Sequence, residues 1–175
     1  MKNESYTESY TLDPGWAPNP VFETAKAYLD AAENAYSREV AKTGFFAFKN
    51  WFVVHHLSVI ATELFVKSFR VTVYHPPVTS EDGPDDVEIK HAYSSHNTQL
   101  DKLDLQDKNG LEEYLSDTLF TLLKSASSDE ISRGRYPYED HNGSTRFPAG
   151  DEAGQKLVDD WLMLARALSK YTGPH

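Results

Sequence analysis

The stretch Phe45 to Tyr74, FFAFKNWFVVHHLSVIATELFVKSFRVTVY, contains neither glycine nor proline and few polar positions. Lys49, His55, His56, Glu63, Lys67 and Arg70 stand out against runs of Phe, Val, Leu and Trp. A helix that is apolar on most of its circumference is buried by neighbours on several sides. The pattern therefore predicts the central helix of an all-α bundle. Upstream, Phe22, Ala25, Leu29, Ala32, Tyr36 and Val40 recur at three- and four-residue spacing and predict one apolar helix face. That helix starts at Asn19-Pro20, a cap residue followed by proline in the first turn, and stops at Gly44. The connection to the central helix is so short that the two must run antiparallel.

Downstream, Leu100, Leu103 and Leu105 predict a short helix from Ser95. Asn109 is the expected cap of a further helix with Leu111, Leu115, Leu119, Leu122 and Ala126 as its stripe. A last helix is expected from about Asp151 to Tyr171, with Leu157, Trp161, Leu164, Leu168 and Tyr171 facing inward. His75-Pro76-Pro77 should stop the central helix, because proline cannot continue one. Val78 to Glu88 is acidic, contains Gly83-Pro84 and reads as a solvated connector. Ser127 to Gly150 reads as a loop longer than compact domains usually leave structureless, a hint of function. Residues 1–18 form an arm, laid on the bundle or disordered, and 19–175 a single domain. The expected architecture is an up-down bundle of four to five helices.

The totals narrow the function. The 175 residues suit one domain, and the absence of cysteine excludes disulfides and thiolate chemistry. The first residues lack the apolar core of a secretory signal. Lys49, His55, His56 and Glu63 interrupt the central run well short of a bilayer's requirement, so a cytosolic protein without a membrane span is expected. The net charge of −10 repels nucleic-acid phosphate except where cations cluster. One modest cluster exists, Arg133 and Arg135 with Arg146 nearby.

Seven histidines invite a metal hypothesis, but adjacent His55 and His56 diverge by about 100° on a helix. His91 and His96 are five apart, with no acidic residue close behind. No metal and no cofactor are expected. No Gly-rich phosphate loop and no GxSxG elbow is present. Glu63 and Lys67 stand four apart in the order that favours an ion pair. Their apolar surroundings, Ile60, Leu64, Phe65 and Phe69, point to partial burial and a structural polar network, with His56 and His96 as its further members.

Three segments taken in order resemble the HEPN domains. ATELFVKSF, Ala61 to Phe69, is similar to their A-x-E-L-x-x-K helix. SSHNTQLDKL, Ser94 to Leu103, is similar to their G-H-x-L-x-x-L element, with Ser95 in place of glycine. GRYPYE, Gly134 to Glu139, resembles the R-Y-P segment that often follows. The resemblance implies a helical bundle that is often dimeric and works in prokaryotic toxin–antitoxin and phage-defence systems. An antitoxin or a nucleotidyltransferase would then be a natural protein partner. Many such domains are metal-independent endoribonucleases with an Arg-x4-6-His motif. Here Arg70-x4-His75 and Arg135-x5-His141 match the spacing, with Val71 and Tyr136 after the arginine where the family prefers a polar residue. Arg135 and His141 are the candidate catalytic pair: His supplies an acid or base near neutral pH, and Arg a cation for the phosphorane. Arg133, Arg146, Tyr136 and Tyr138 are the candidate binding residues beside it. The leading expectation is nonetheless a module that acts by homodimerisation and partner binding.

Overall fold

The computed structural model describes residues 6–11, 20–44, 49–75, 88–91, 105–125 and 152–173. Its core is an all-α helical bundle. Helix α1 is Pro20–Ala41, α2 is Trp51–Lys67, α3 is Leu105–Tyr114, α4 is Asp117–Ser125 and α5 is Glu152–Leu168. Beside them lies a three-stranded antiparallel sheet, β1 (Tyr6–Thr11), β2 (Arg70–His75) and β3 (Glu88–His91), with β2 in the middle. The predicted N-terminal arm thus contributes β1, which pairs along its whole length with β2 from Tyr6↔His75 to Thr11↔Arg70.

Aromatic contacts fix the helix directions. Phe22 near the start of α1 meets Phe65 near the end of α2, with ring centroids 5.3 Å apart. Tyr36 near the end of α1 meets Trp51 at the start of α2, at 5.7 Å. The two helices are antiparallel, as the short connection required. By contrast α2 and α5 run parallel: Trp51 and Val54 pack on Val158, His55 on Trp161, and Phe69 on Tyr171. The hairpin between α1 and α2 is tied by Glu39, which accepts from the Asn50 backbone N–H at 2.6 Å and from Lys42 Nζ at 2.7 Å. Burial alone would raise the Glu39 pKa, but those two donors outweigh it and hold the carboxyl below its ordinary range. Gly44, just beyond α1, has φ +110°, where an L side chain is strained although nothing would touch its Cβ.

Four expectations need correction. The central helix does not run to Tyr74. It ends at Lys67, and Ser68 turns the chain, its hydroxyl donating to Phe65 O at 2.6 Å. Arg70 to His75, RVTVYH, is rich in β-branched and aromatic residues and pairs as β2 instead. Absence of glycine and proline therefore did not mean continuous helix. Asn109 is not a cap: it lies inside α3, and the break falls at Leu115-Ser116. Ser116 begins α4 by accepting from the Leu119 backbone N–H at 3.4 Å, with Asp117 favourably placed in the first turn. Leu105, expected inside, is 73% exposed at the start of α3. Finally, Val40 and Leu157 are exposed, and Val158, Leu162 and Ala165 take the inward face of α5. The predicted helix from Ser95 lies outside the described residues.

The other described inward positions are where the spacing put them, and Leu100, Leu103 and Ala126 lie outside the described residues. Ala25, Leu29 and Ala32 of α1, Leu111, Leu115 and Leu119 further on, and Trp161, Leu164, Leu168 and Tyr171 at the end share one core with Phe65 and Val66 of α2. Ser116→Ala should cost about 1 kcal/mol through loss of the α4 cap. A shifted urea midpoint with an unchanged slope would record it.

Candidate functional site

The candidate site is the polar stripe of α2. Residues 56, 63 and 67 fall on one side of this helix, at separations of seven and four. Glu63 is 3% exposed, and its Oε1 accepts from Lys67 Nζ at 2.6 Å. Lys67 is itself mostly covered, with 13% of its side chain accessible. The ion pair anticipated from the spacing is therefore formed, and it is buried. Desolvation of two charges offsets most of their attraction, so such a pair adds little net stability, but its loss by halves is costly. Phe52 and His56 stack one turn apart at 6.0 Å on the same side of the helix.

His55 occupies the neighbouring face. Its ring meets Trp161 of α5 edge-on at 6.0 Å. Burial, helped by adjacent His56, lowers its pKa from the ordinary 6.5 to about 4. At neutral pH it is an uncharged ring in the α2–α5 interface. It cannot serve there as a general base poised near pH 7.

Two other polar clusters complete the described surface and core. Across α1 and α5, Tyr36 shares a hydrogen bond with Asp159 that raises the phenol pKa, while Arg166 Nε donates to Glu33 at 2.7 Å. Beside this ion pair lies an open groove of about 370 Å³ lined by Lys26, Leu29, Asp30, Glu33, Arg166 and Lys170. At the far end of α5, Tyr171 packs on Phe69 at 5.4 Å and on Tyr114 at 5.1 Å. Its buried hydroxyl makes no hydrogen bond among the described residues. Burial first, then Asp107 and Glu113, push its pKa up to about 12, so it stays protonated as a packing group.

Of the residues singled out in the sequence, Glu63 and Lys67 are brought together, while His56 lies on the same side of α2 about two turns before Glu63. Arg133, Arg135, Tyr136, Tyr138, His141, Arg146 and His96 lie outside the described residues. The second spacing match, Arg70-x4-His75, occupies the two ends of β2. Five residues of extended strand separate their Cα atoms by roughly 17 Å. That is no compact Arg/His pair. The groove beside Glu33 and Arg166 was missed, because its two walls lie more than 130 positions apart in sequence and share no motif. Among the described residues no group of three or more His, Cys, Asp or Glu side chains could hold a metal ion. No described helix is long and apolar enough to cross a membrane. Comparisons of the chain with protein-family models, with curated proteins and with solved structures find no match.

Proposed function

We propose that this chain is a HEPN-like cytosolic module that acts by homodimerisation and partner binding in a defence or toxin–antitoxin setting. One observation carries the reading: the A-x-E-L-x-x-K segment, Ala61 to Lys67, forms a central helix whose Glu63 and Lys67 are buried as an ion pair. Charges placed so are part of the scaffold, and they leave the outside of the bundle to make contacts. The net charge of −10 supports a protein partner over RNA, since phosphate would meet a repulsive field. A basic protein, such as an antitoxin or a nucleotidyltransferase with a cationic face, fits that field.

The test joins solution mass with growth on overexpression. The expected result is a mass above that of one chain, a protein partner retained in pull-downs from the native host, and no growth arrest that depends on His141. A strictly monomeric protein without partners overturns the proposal. Growth arrest that His141→Ala and Arg135→Ala each relieve would replace it with a metal-independent endoribonuclease.

A further inference from the structure

The groove between α1 and α5 follows from helix periodicity. Lys26, Asp30 and Glu33 stand four and three apart on one side of α1, with buried Leu29 beside them. Arg166 is in the last turn of α5, and Lys170 follows in the turn that closes it, its backbone N–H donating to Ala167 O at 3.1 Å. Lys26, Asp30, Arg166 and Lys170 are exposed and Glu33 is half-buried, so solvent reaches the groove. Its charges are not all paired. Arg166 donates to Glu33 through Nε, and its terminal nitrogens make no hydrogen bond among the described residues. Lys26 pairs with Glu23 on its own helix at 3.2 Å. Asp30 and Lys170 line the same groove, yet among the described residues neither makes an ion pair.

We propose that this groove binds a small zwitterion with an apolar body, of the kind a free amino acid presents. Its carboxylate lies on Lys170 and the unbonded N–H groups of Arg166, and its ammonium on Asp30. Charge complementarity selects this class. A ligand that is only anionic meets Asp30 and Glu33 within a chain of net −10. A ligand that is only cationic suits that field but meets Lys26, Arg166 and Lys170 at the groove itself. A zwitterion answers both unpaired signs at once. Ser169 donates its hydroxyl to Arg166 O at 2.8 Å, which leaves the Ser169 oxygen able to accept from the ammonium. Leu29 supplies apolar lining for the body of the ligand. The volume of about 370 Å³ is near the lower end for ligand sites, which run from roughly 300 to 1,000 Å³, and suits a molecule of that size. Contacts made of exposed ion pairs are weak, so the affinity belongs in the millimolar range.

The experiment titrates L-leucine into the full chain and follows backbone amide shifts by NMR. Leucinamide and N-acetyl-leucine are the controls, each keeping one charge, in mildly acidic buffer where the amines stay protonated. Leucine should give saturable shifts at Leu29, Asp30, Ser169 and Lys170, and both controls should bind about three- to fivefold more weakly. Asp30→Asn and Lys170→Gln alter exposed side chains that make no ion pair among the described residues, so both variants keep the fold. Asp30→Asn should bring leucine down to the affinity of N-acetyl-leucine and leave N-acetyl-leucine no weaker than on the parent. Lys170→Gln should bring leucine down toward leucinamide and leave leucinamide no weaker. Absence of saturable leucine shifts at these residues overturns the proposal. So does equal affinity for the three molecules, or leucine binding that either variant leaves unchanged. Each of these results leaves the homodimer reading standing, and a monomeric parent chain that binds leucine in this pattern separates the two the other way.

Discussion

Replacing Lys67 with methionine lowers the unfolding free energy by about 3–5 kcal/mol, because the buried Glu63 loses the cation 2.6 Å from its carboxylate. The geometry makes the effect this large. Glu63 is 3% exposed, its Oε1 is 2.6 Å from Lys67 Nζ, and Val59, Phe65 and Val66 of the same helix are buried around that level. An exposed pair within one helix, Lys26 with Glu23 or Lys156 with Asp160, would change stability by only a few tenths of a kcal/mol. The companion variant, Glu63→Gln with Lys67→Met, removes both charges and keeps an acceptor oxygen, and it should recover most of the loss. Urea unfolding of the three proteins measures this, and a Lys67→Met loss below about 1 kcal/mol would mean that water or a further polar group holds Glu63.

The second large effect is on pH. The folded-state pKa of His55 is lowered to about 4 against an ordinary 6.5, so between these values the unfolded chain binds a proton that the folded chain does not. Stability from this group is fully present above about pH 6.5 and is lost as the pH falls toward 4. The loss is at most about 3 kcal/mol. His55→Leu removes the titration and keeps the contact with Trp161, so the variant should gain on its parent steadily as the pH is lowered through that window. Both proteins carry the same carboxylates, whose own titration cancels in the comparison. A stability difference that is flat between pH 7 and pH 4 would show that His55 is solvated.

Helix positions were legible where burial follows a helical period. Ala25, Leu29 and Ala32, or Trp161, Leu164 and Leu168, could be read directly because each stripe faces one core. The end of α2 could not. Lys67 to Tyr74 carries no glycine or proline to stop a helix, and only pairing with β1, some sixty residues upstream, decides that Arg70 to His75 is a strand. Strand pairing is non-local, and propensity within RVTVYH alone cannot tell a buried helix end from a sheet. The break at Ser116 was hidden for a different reason. Asn109-Gly110 offers a stronger local stop signal than Ser116-Asp117, yet α3 continues through it because Leu111 is packed in the core. At the site, Glu63 and Lys67 were readable from spacing and apolar context. The neutral state of His55 was not, since it depends on the approach of Trp161 from α5.

In the proposed division of labour, α2 organises the bundle while the surface of the bundle makes the associations. Sedimentation equilibrium on Glu63→Gln with Lys67→Met, at a temperature where this variant is fully folded, tests that division directly. The expected result is the same monomer–dimer constant as the parent, within about twofold, and the same retained partner. A folded double variant that has lost association or its partner would contradict the claim and make the ion pair itself part of the working site.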